Sequence, residues 1–279
     1  MTKSVAYRIL NVFCPEGSNL QGNALCVFED GTSLTTEEMH GLALQFNLSE
    51  TTFLFPPTTP AASKRVRIFT PGVELPFAGH PTLGSSFVTA ALHGSCSTLE
   101  TKAGLIPVSS NEKGDVWTLS ANKATFLSGP ETSTLASLVG LKAQDFVEND
   151  IPRTWVNSGI PQLMVQLSSK DALFAIQTPS VPQMKDLDCE GVLFFVKDGN
   201  QITSRFFFKD VHAVFEDPGT GSACANLGRL LQRKGLRGKF ELQQGHVLKR
   251  LCEIGIAVDD ESVFVSGRVV QVGNGVMTF

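Results

Sequence analysis

The sequence predicts an α+β fold of two pseudo-symmetric lobes, each a mostly antiparallel sheet wrapped round a central helix. Many short apolar strands alternate with Gly, Pro or Asn, and long crossover helices are few. A motif also occurs twice, almost half of the 279-residue chain apart. In each copy a strand led by Arg67 or Arg205 is followed by an acidic turn and by a glycine, Gly79 or Gly221, that opens a helix. Many strands with few long crossover helices argue against the strand–helix alternation of a Rossmann-type fold.

The N-terminal lobe contains strands and two helices with clear boundary signals. A capping box from Thr35 to Glu38 predicts a helix that ends near Gln45. Pro81, at a favoured first helical position, predicts a second helix that ends near Gly94. The expected strands cover residues 6–13, 24–28, 52–55, 65–69, 97–101, 106–109 and 116–119.

The C-terminal lobe repeats this mixture around a helix predicted from Gly221 to about Lys234. The helices that follow the two glycines are poor in charge, so each is expected to be buried within its own sheet. We place the lobes at 1–125 and 126–279, and the final strand could pair with the N-terminal lobe. A further helix is expected near 131–139, and strands at 154–156, 163–167, 192–196, 202–208, 239–242, 248–256 and 262–272.

Composition favours a small-molecule partner. The formal net charge is −4 and Lys and Arg are scattered, so nothing indicates binding to nucleic acid or to an anionic membrane surface. No uncharged stretch reaches the roughly 18 residues of a membrane span, and no signal-peptide pattern is present, which predicts a cytoplasmic protein. The six cysteines lack C-x-x-C spacing and are expected to pack as small hydrophobic thiols.

The glycine-rich turn before Ser222 predicts an anion site. It looks superficially like a dinucleotide fingerprint, but Cys224 takes the sixth position and no acidic ribose partner follows. We therefore expect no nucleotide and no other cofactor. Backbone amides at Gly221 and Ser222 suit a small carboxylate. The turn could instead only cap a helix, and the matching start at Gly79 and His80 is what favours a binding role over that alternative.

Three polar residues add chemistry to these helix starts. Asp217 follows Glu216 beside the second helix start, although Asp-Pro-Gly is also a common turn. His80 is expected to be a neutral imidazole that orients a substrate or moves a proton, or else a structural histidine bonded to a carbonyl. Glu50 lies where an apolar strand begins, and partial desolvation there suits proton transfer, although most such residues are solvated. No metal site is predicted, because ligand-like spacing is absent from the remaining histidines, His40, His93, His212 and His246.

Two long blocks, residues 69–81 and 216–223, resemble the PhzF-like family of phenazine-biosynthesis proteins, which shares the diaminopimelate epimerase fold. Shorter matches follow the same order at 22–28, 47–53, 99–101, 244–245 and 265–267. The resemblance implies a β-barrel-like sheet round a central helix in each lobe, with the active site between them. It also implies a cofactor-independent isomerase of the trans-2,3-dihydro-3-hydroxyanthranilate type, for which a homodimer would be consistent.

The resemblance assigns a role to each candidate residue. Glu50 becomes the acid/base that transfers the proton. Backbone amides come from Gly79 and Gly221, and the substrate-positioning side chains are Asn23, His80, Asp217 and Ser222. The chain departs from the family pattern at Gly219, where the family more usually has Val or Ala, and at 248–252, where the family has Gly-Arg-Pro-Ser.

Two other function classes stay open. An amino-acid epimerase or racemase of this fold needs two bases, usually a thiol pair, and the positions that we assign to it hold Ala78 and Pro218. Cys224 lies inside the predicted helix, where burial would make its thiol inert. A non-catalytic small-carboxylate binding protein would keep the anion site but would not need both Glu50 and His80.

Overall fold

The computed structural model describes residues 2–148, 151, 153–210 and 213–279, and His212 lies outside these residues. The fold is α+β, as the sequence predicts. It comprises two compact units: unit 1 is Met1–Ser120 with Ser266–Phe279, and unit 2 is Ala121–Val265. The final strand, β17 (Val263–Thr278), runs from unit 2 into unit 1 and pairs antiparallel with β1.

Unit 1 is a closed ring of eight strands with a helix packed against its inner face. Its strands are β1 (Ser4–Val12), β2 (Asn23–Phe28), β3 (Glu50–Phe55), β4 (Lys64–Phe69), β5 (Glu74–Leu75), β6 (Thr98–Thr101), β7 (Gly104–Ser110) and β8 (Val116–Ser120). The ring runs β1-β2-β3-β4-β6-β7-β8-β17 and back to β1, with β2 parallel to β3 and β4 parallel to β6. Its helices are α1 (Thr36–Phe46) and α2 (Gly79–His93).

Helix α2 is the central helix of unit 1 and contacts strands β1, β2, β3, β4, β6 and β8. Its residues are mostly buried although four of them carry hydroxyl groups. Gly84 allows the close approach, because a Cβ atom there would lie 2.4 Å from Leu25 Cδ2. The sequence of α2 is therefore poor in charge because strands of unit 1 surround the helix.

Unit 2 builds a sheet in the order β9-β10-β11-β12-β13-β15-β16, with β14 beside β13. Its central helix is α6, which contacts β10, β11 and β16 and is buried from Gly221 to Leu231. Its strands are β9 (Thr125–Ser128), β10 (Thr154–Asn157), β11 (Pro161–Gln166), β12 (Gly191–Asp198), β13 (Gln201–Lys209), β14 (Val214–Asp217), β15 (Gly238–Gln244) and β16 (Cys252–Val258). Its α-helices are α3 (Thr132–Val139), α4 (Lys170–Ala175), α5 (Val181–Asp186) and α6 (Gly221–Arg233), and 143–145 form a 3₁₀ turn.

The two units have the same internal topology. Strand β2 is parallel to β3 as β11 is to β12, and β4 is parallel to β6 as β13 is to β15. The register matches as well, because Arg67 pairs with Phe53 across β3 and β4 while Arg205 pairs with Phe194 across β12 and β13. The repeat seen in the sequence is therefore a repeat of strand order and register.

Several predicted boundaries differ from the structure. Helix α2 begins at Gly79, two residues before Pro81, because proline is tolerated anywhere in a first turn whose N–H groups have no intrahelical partner. The strand expected at 248–256 begins only at Cys252, since a turn closes before it with the Arg250 N–H donating to the Gly245 carbonyl at 3.1 Å. The short elements α4, α5, β5, β9 and β14 were not predicted.

The lobe boundary expected at 125/126 falls inside β9, which pairs with β10 in unit 2. The first residue of unit 2 is Ala121, whose N–H donates to the Val263 carbonyl at 2.8 Å. Within the described ranges, no helix combines the length and the apolar character that crossing a bilayer requires.

Candidate functional site

Unit 1 brings Glu50, His80 and Asn23 together. Glu50 is the first residue of β3 and His80 the second residue of α2. His80 Nδ1 lies 3.1 Å from Glu50 Oε2 and 3.5 Å from Asn23 Nδ2. The His80 side chain is 2% exposed and that of Glu50 16%, so the carboxyl group is the more accessible member of the pair.

The contacts of His80 Nδ1 are compatible with two proton positions. When Nδ1 carries the proton, it points toward a negatively charged Glu50. When Glu50 carries the proton, Nδ1 can accept from both Glu50 and Asn23. Glu50 Oε2 receives no hydrogen bond from the residues that the structure describes, although His80 Nδ1 is close. Oε2 is itself buried against the imidazole, which can balance the charge of the carboxyl group while that group exchanges a proton with a bound molecule.

A buried hydrogen bond ties the central helix to the strand that carries Glu50. Ser85 Oγ on α2 donates to Thr52 Oγ1 on β3 at 2.9 Å. At the start of α2, Thr82 Oγ1 donates back to the Ala78 carbonyl at 2.7 Å, and Ala78 provides no side-chain cap. The relative position of Glu50 and His80 is thus fixed by hydrogen bonds between buried groups.

Unit 2 holds Asp217 in a second buried network. The Thr220 hydroxyl donates to Asp217 Oδ2 at 2.5 Å. Gln244 Nε2 donates to the Asp217 carbonyl at 2.7 Å and to Thr220 Oγ1 at 2.9 Å. A carbonyl oxygen can only accept, so Gln244 Nε2 is a donor and the Thr220 proton is directed at the carboxylate. This arrangement stabilises the charged form of Asp217.

Ser222, the second residue of α6, belongs to another network in unit 2. Gln162 Nε2 donates to Ser222 Oγ at 3.0 Å, and Asn226 Nδ2 donates to Gln162 Oε1 at 2.8 Å. Asn226 Oδ1 in turn accepts from the backbone and the hydroxyl of Ser158 at 2.9 and 2.7 Å. The N-cap residue of α6, Thr220, does not cap the helix with its side chain.

The Arg residues of the repeated motif form matching ion pairs. Arg67 binds both oxygens of Glu74 at 2.8 Å, and Arg205 binds both oxygens of Glu216 at 3.0 and 2.8 Å. Glu216 and Asp217 both precede the second helix start. The two oxygens of Glu216 are occupied by Arg205, which leaves Asp217 as the acid of that turn.

The structure thus groups the predicted residues of each unit. Gly79 and Gly221 begin α2 and α6, and Asp217 lies at the end of β14. Sequence reasoning did not find the polar residues that hold Ser222 and Asp217, namely Gln162, Asn226, Thr220 and Gln244. Thr220 and Gln244 lie within the matched stretches 216–223 and 244–245, and Asn226 lies four residues after Ser222 on the same face of a buried helix, so Gln162 is the residue without a local signal.

No thiol lies at the first position before either helix glycine. The residue matching Ala78 is Thr220 rather than Pro218, since these two are the N-cap residues of α2 and α6. Neither Ala78 nor Thr220 is a cysteine, so the two N-cap positions hold no thiol pair. Cys224 lies within α6, and burial raises the pKa of its thiol, so it is not a competent base.

The described part of the chain contains no cluster of three or more His, Cys, Asp or Glu side chains arranged to hold a metal ion.

Comparison with known proteins places the chain in a family. The family profile described as phenazine biosynthesis-like protein, PhzC-PhzF, matches residues 11–275. The chain belongs to the PhzC-PhzF family. An uncharacterized isomerase of Pasteurella multocida is 37% identical over 283 residues, covering 99% of this chain and 94% of the relative. Trans-2,3-dihydro-3-hydroxyanthranilate isomerase of Pseudomonas aeruginosa is 34% identical, covering 81% of this chain and 80% of the relative.

A solved structure extends the match to the whole fold. The structure of a predicted epimerase from Pseudomonas aeruginosa superimposes with a TM-score of 0.84 at 30% identity, covering 98% of this chain and 99% of that one. The protein is an enzyme of the isomerase and epimerase class to which these relatives belong.

Proposed function

We propose that this PhzC-PhzF protein is a cofactor-independent isomerase that moves a proton on a small cyclic or unsaturated amino or hydroxy acid. Glu50 removes a proton from an activated carbon as the carboxylate and returns it to another carbon as the acid. The observation that carries the proposal is the 3.1 Å contact of Glu50 Oε2 with buried His80. The imidazole stabilises each charge state of Glu50 in turn, as a shuttle requires.

The internal repeat supports a single shuttle. With Arg67 aligned on Arg205, strand register places Gly191 at the position of Glu50, because Thr51 pairs with Phe69 and Val192 with Phe207. Unit 2 therefore has no side chain at the position where unit 1 has its acid. A racemase that used Glu50 and its repeat-related residue as the two bases would need a second functional group there.

We also propose that the polar residues of unit 2 bind the substrate. Asp217, held as a carboxylate by Thr220 and Gln244, is suited to an ammonium or hydroxyl group of the substrate. The N–H groups that begin α6 and the Ser222 hydroxyl are suited to a carboxylate. Asn23 supports the His80 ring and is proposed as a further substrate-binding group.

The test uses trans-2,3-dihydro-3-hydroxyanthranilate, the compound named for the Pseudomonas relatives, together with other small unsaturated amino acids. Reactions are followed by NMR in D2O. We expect the Glu50→Gln variant to lose turnover by about 10²-fold or more, since one positioned acid/base contributes that much. Binding of the same compound, measured by thermal shift, should change little.

Glu112→Gln, an exposed substitution of the same chemistry, is the matched control and should retain full activity. Unchanged turnover in Glu50→Gln would contradict the assignment. Inversion of a stereocentre without movement of a double bond would indicate an epimerase, and binding without solvent exchange in the wild-type protein would indicate a binding protein.

A further inference from the structure

The direction of each hydrogen bond behind Ser222 can be determined from the backbone. The Ser158 N–H donates to Asn226 Oδ1 at 2.9 Å, so this atom of Asn226 is the oxygen. The other end of the same amide faces the Ile160 carbonyl at 2.9 Å, which can only accept, so this atom is the nitrogen. Both ends of Asn226 are therefore fixed by backbone groups.

The fixed orientation of Asn226 determines that of Gln162. Asn226 Nδ2 also donates to Gln162 at 2.8 Å, so the Gln162 atom that it meets is Oε1. The remaining Gln162 atom, Nε2, then faces Ser222 Oγ at 3.0 Å and can only donate to it. A flipped Gln162 would oppose two N–H groups at one end and would leave buried polar groups without partners, which is costly.

The Ser222 hydroxyl group is thereby left to act as a hydrogen-bond donor to a ligand. Its oxygen accepts from Gln162, and among the described residues no acceptor for the Ser222 proton is found. Gln162 and Asn226 are 4% and 1% exposed, so water does not readily replace either contact. We propose that Gln162 and Asn226 are positioning residues that hold Ser222 as a hydrogen-bond donor, so that the group bound there is an acceptor oxygen of a carboxylate.

This inference rests on the proposed function in one respect, that Ser222 contacts the substrate. It adds which residues enforce the contact of Ser222 with a carboxylate. An ammonium or amide N–H placed at Ser222 would leave the Ser222 proton without an acceptor, so the substrate carboxylate lies there and its amino group lies elsewhere.

The relay, meaning the hydrogen bonds that lead from Asn226 through Gln162 to Ser222, can be reversed by a substitution at Asn226. In Asn226→Asp the side chain offers only acceptors, so Gln162 turns its NH₂ group toward residue 226 and its oxygen toward Ser222. The Ser222 hydroxyl then donates to Gln162 and no longer to the ligand. Gln162→Glu imposes the same reversal directly, because its carboxylate accepts from Ser222.

Two probes of similar shape measure the reversal. Anthranilate offers a carboxylate, and anthranilamide replaces one acceptor oxygen by an NH₂ donor. Since a hydrogen bond to a charged group is worth about a tenfold change in affinity or more, Asn226→Asp and Gln162→Glu should weaken anthranilate binding by about that factor. Anthranilamide should lose less affinity, so the ratio of the anthranilamide Kd to the anthranilate Kd should fall. The added carboxylate also repels the anthranilate anion but not the uncharged anthranilamide, so Gln162→Met, which removes the donor without adding charge, is measured beside these variants. A merely structural role would leave the ratio unchanged in Gln162→Met.

Ser222→Ala distinguishes the substrate role of Ser222 from the role of Gln162 and Asn226 in orienting it. If Ser222→Ala leaves anthranilate binding unchanged, or if the wild-type protein does not bind anthranilate, the proposed substrate role of Ser222 fails. If Ser222→Ala weakens binding but Asn226→Asp and Gln162→Glu preserve the ratio, the relay is wrong. With the relay correct, adding the uncharged substitution Gln162→Met to Ser222→Ala should weaken anthranilate binding no further.

Gln45→Glu, an exposed change of the same chemistry on α1, controls for added negative charge and should leave both Kd values as they are. Thermal melting of each variant shows whether it is folded at the temperature of the binding measurement. If a charged variant is unfolded there, the result rests on Gln162→Met, which should lower the ratio in the same direction.

Discussion

Replacing Glu216 by Gln should destabilise the protein far more than the equivalent change at Glu74, although both residues pair with an arginine of the repeated motif. The Arg205 and Glu216 side chains are 5% and 7% exposed, whereas those of Arg67 and Glu74 are 22% and 12% exposed. Arg205 also donates to the carbonyls of residues 173 and 176 at the end of α4. The guanidinium of unit 2 thus cannot turn toward water when its partner loses its charge.

The size of the difference follows from this burial. Removing one partner of a buried pair leaves an uncompensated charge and costs about 3–5 kcal/mol. The more exposed guanidinium of Arg67 can be hydrated, so losing the charge of Glu74 should cost about 1 kcal/mol. Both cations keep their contact with an aromatic ring, at 4.9 Å for Arg205 over Phe207 and 5.1 Å for Arg67 over Phe69. We therefore expect the two variants to differ by about 2–4 kcal/mol in free energy of unfolding.

Urea unfolding followed by tryptophan fluorescence can measure each unit, because the chain has two tryptophans, Trp117 in unit 1 and Trp155 in unit 2. Glu216→Gln is measured in a Trp117→Phe background and Glu74→Gln in a Trp155→Phe background, each against its own background protein. An equal loss in the two units, or a larger loss for Glu74→Gln, would refute the reasoning from burial.

Three further outcomes are expected. Gly191→Ala should lower the stability of unit 2 by about 1–3 kcal/mol, because its Cβ would lie 2.6 Å from Phe206 Cζ, and an unchanged melting curve would contradict this. Cys224 should not react with a thiol reagent at pH 8 in the folded protein but should react in urea, because burial raises its pKa; mass mapping of the labelled peptide detects it. The hydrogen bond from Arg67, more than that from Lys102, lowers the pKa of Glu74, so this residue contributes stability above its ordinary pKa that is lost as the pH falls below it. Glu74→Gln should therefore flatten the acid side of the stability profile, and an unaltered slope would argue against the ion pair.

The central helices were predictable because their signals are local. A glycine start, an apolar run without charge, and a Gly in the left-handed region at the end of α2 (Gly94, φ 84°) lie within one stretch of sequence. The capping box at Thr35 was confirmed for the same reason. The α+β class and the family follow from such local blocks taken together.

The short elements and the polar relays could not be predicted in this way. Strand β14 has four residues, and its position depends on pairing with β13 rather than on any periodicity. Gln162 reaches Ser222 from 60 residues earlier in the chain, and nothing in its own strand distinguishes it from a solvated Gln. The pairing of Glu216 with Arg205 is likewise visible only once the strand register is known.

The order in which the units can be completed during translation follows from the path of β17. Unit 1 needs residues 266–279 to close its ring of strands, and the ribosome makes these only after all of unit 2. Until then β1 lacks the neighbour that it acquires through pairs such as Ser4 with Thr278, and its edge is available to other chains. The half that carries Glu50 is therefore the last to mature, and a nascent chain stalled late in synthesis would hold a finished second unit beside an open, aggregation-prone first one.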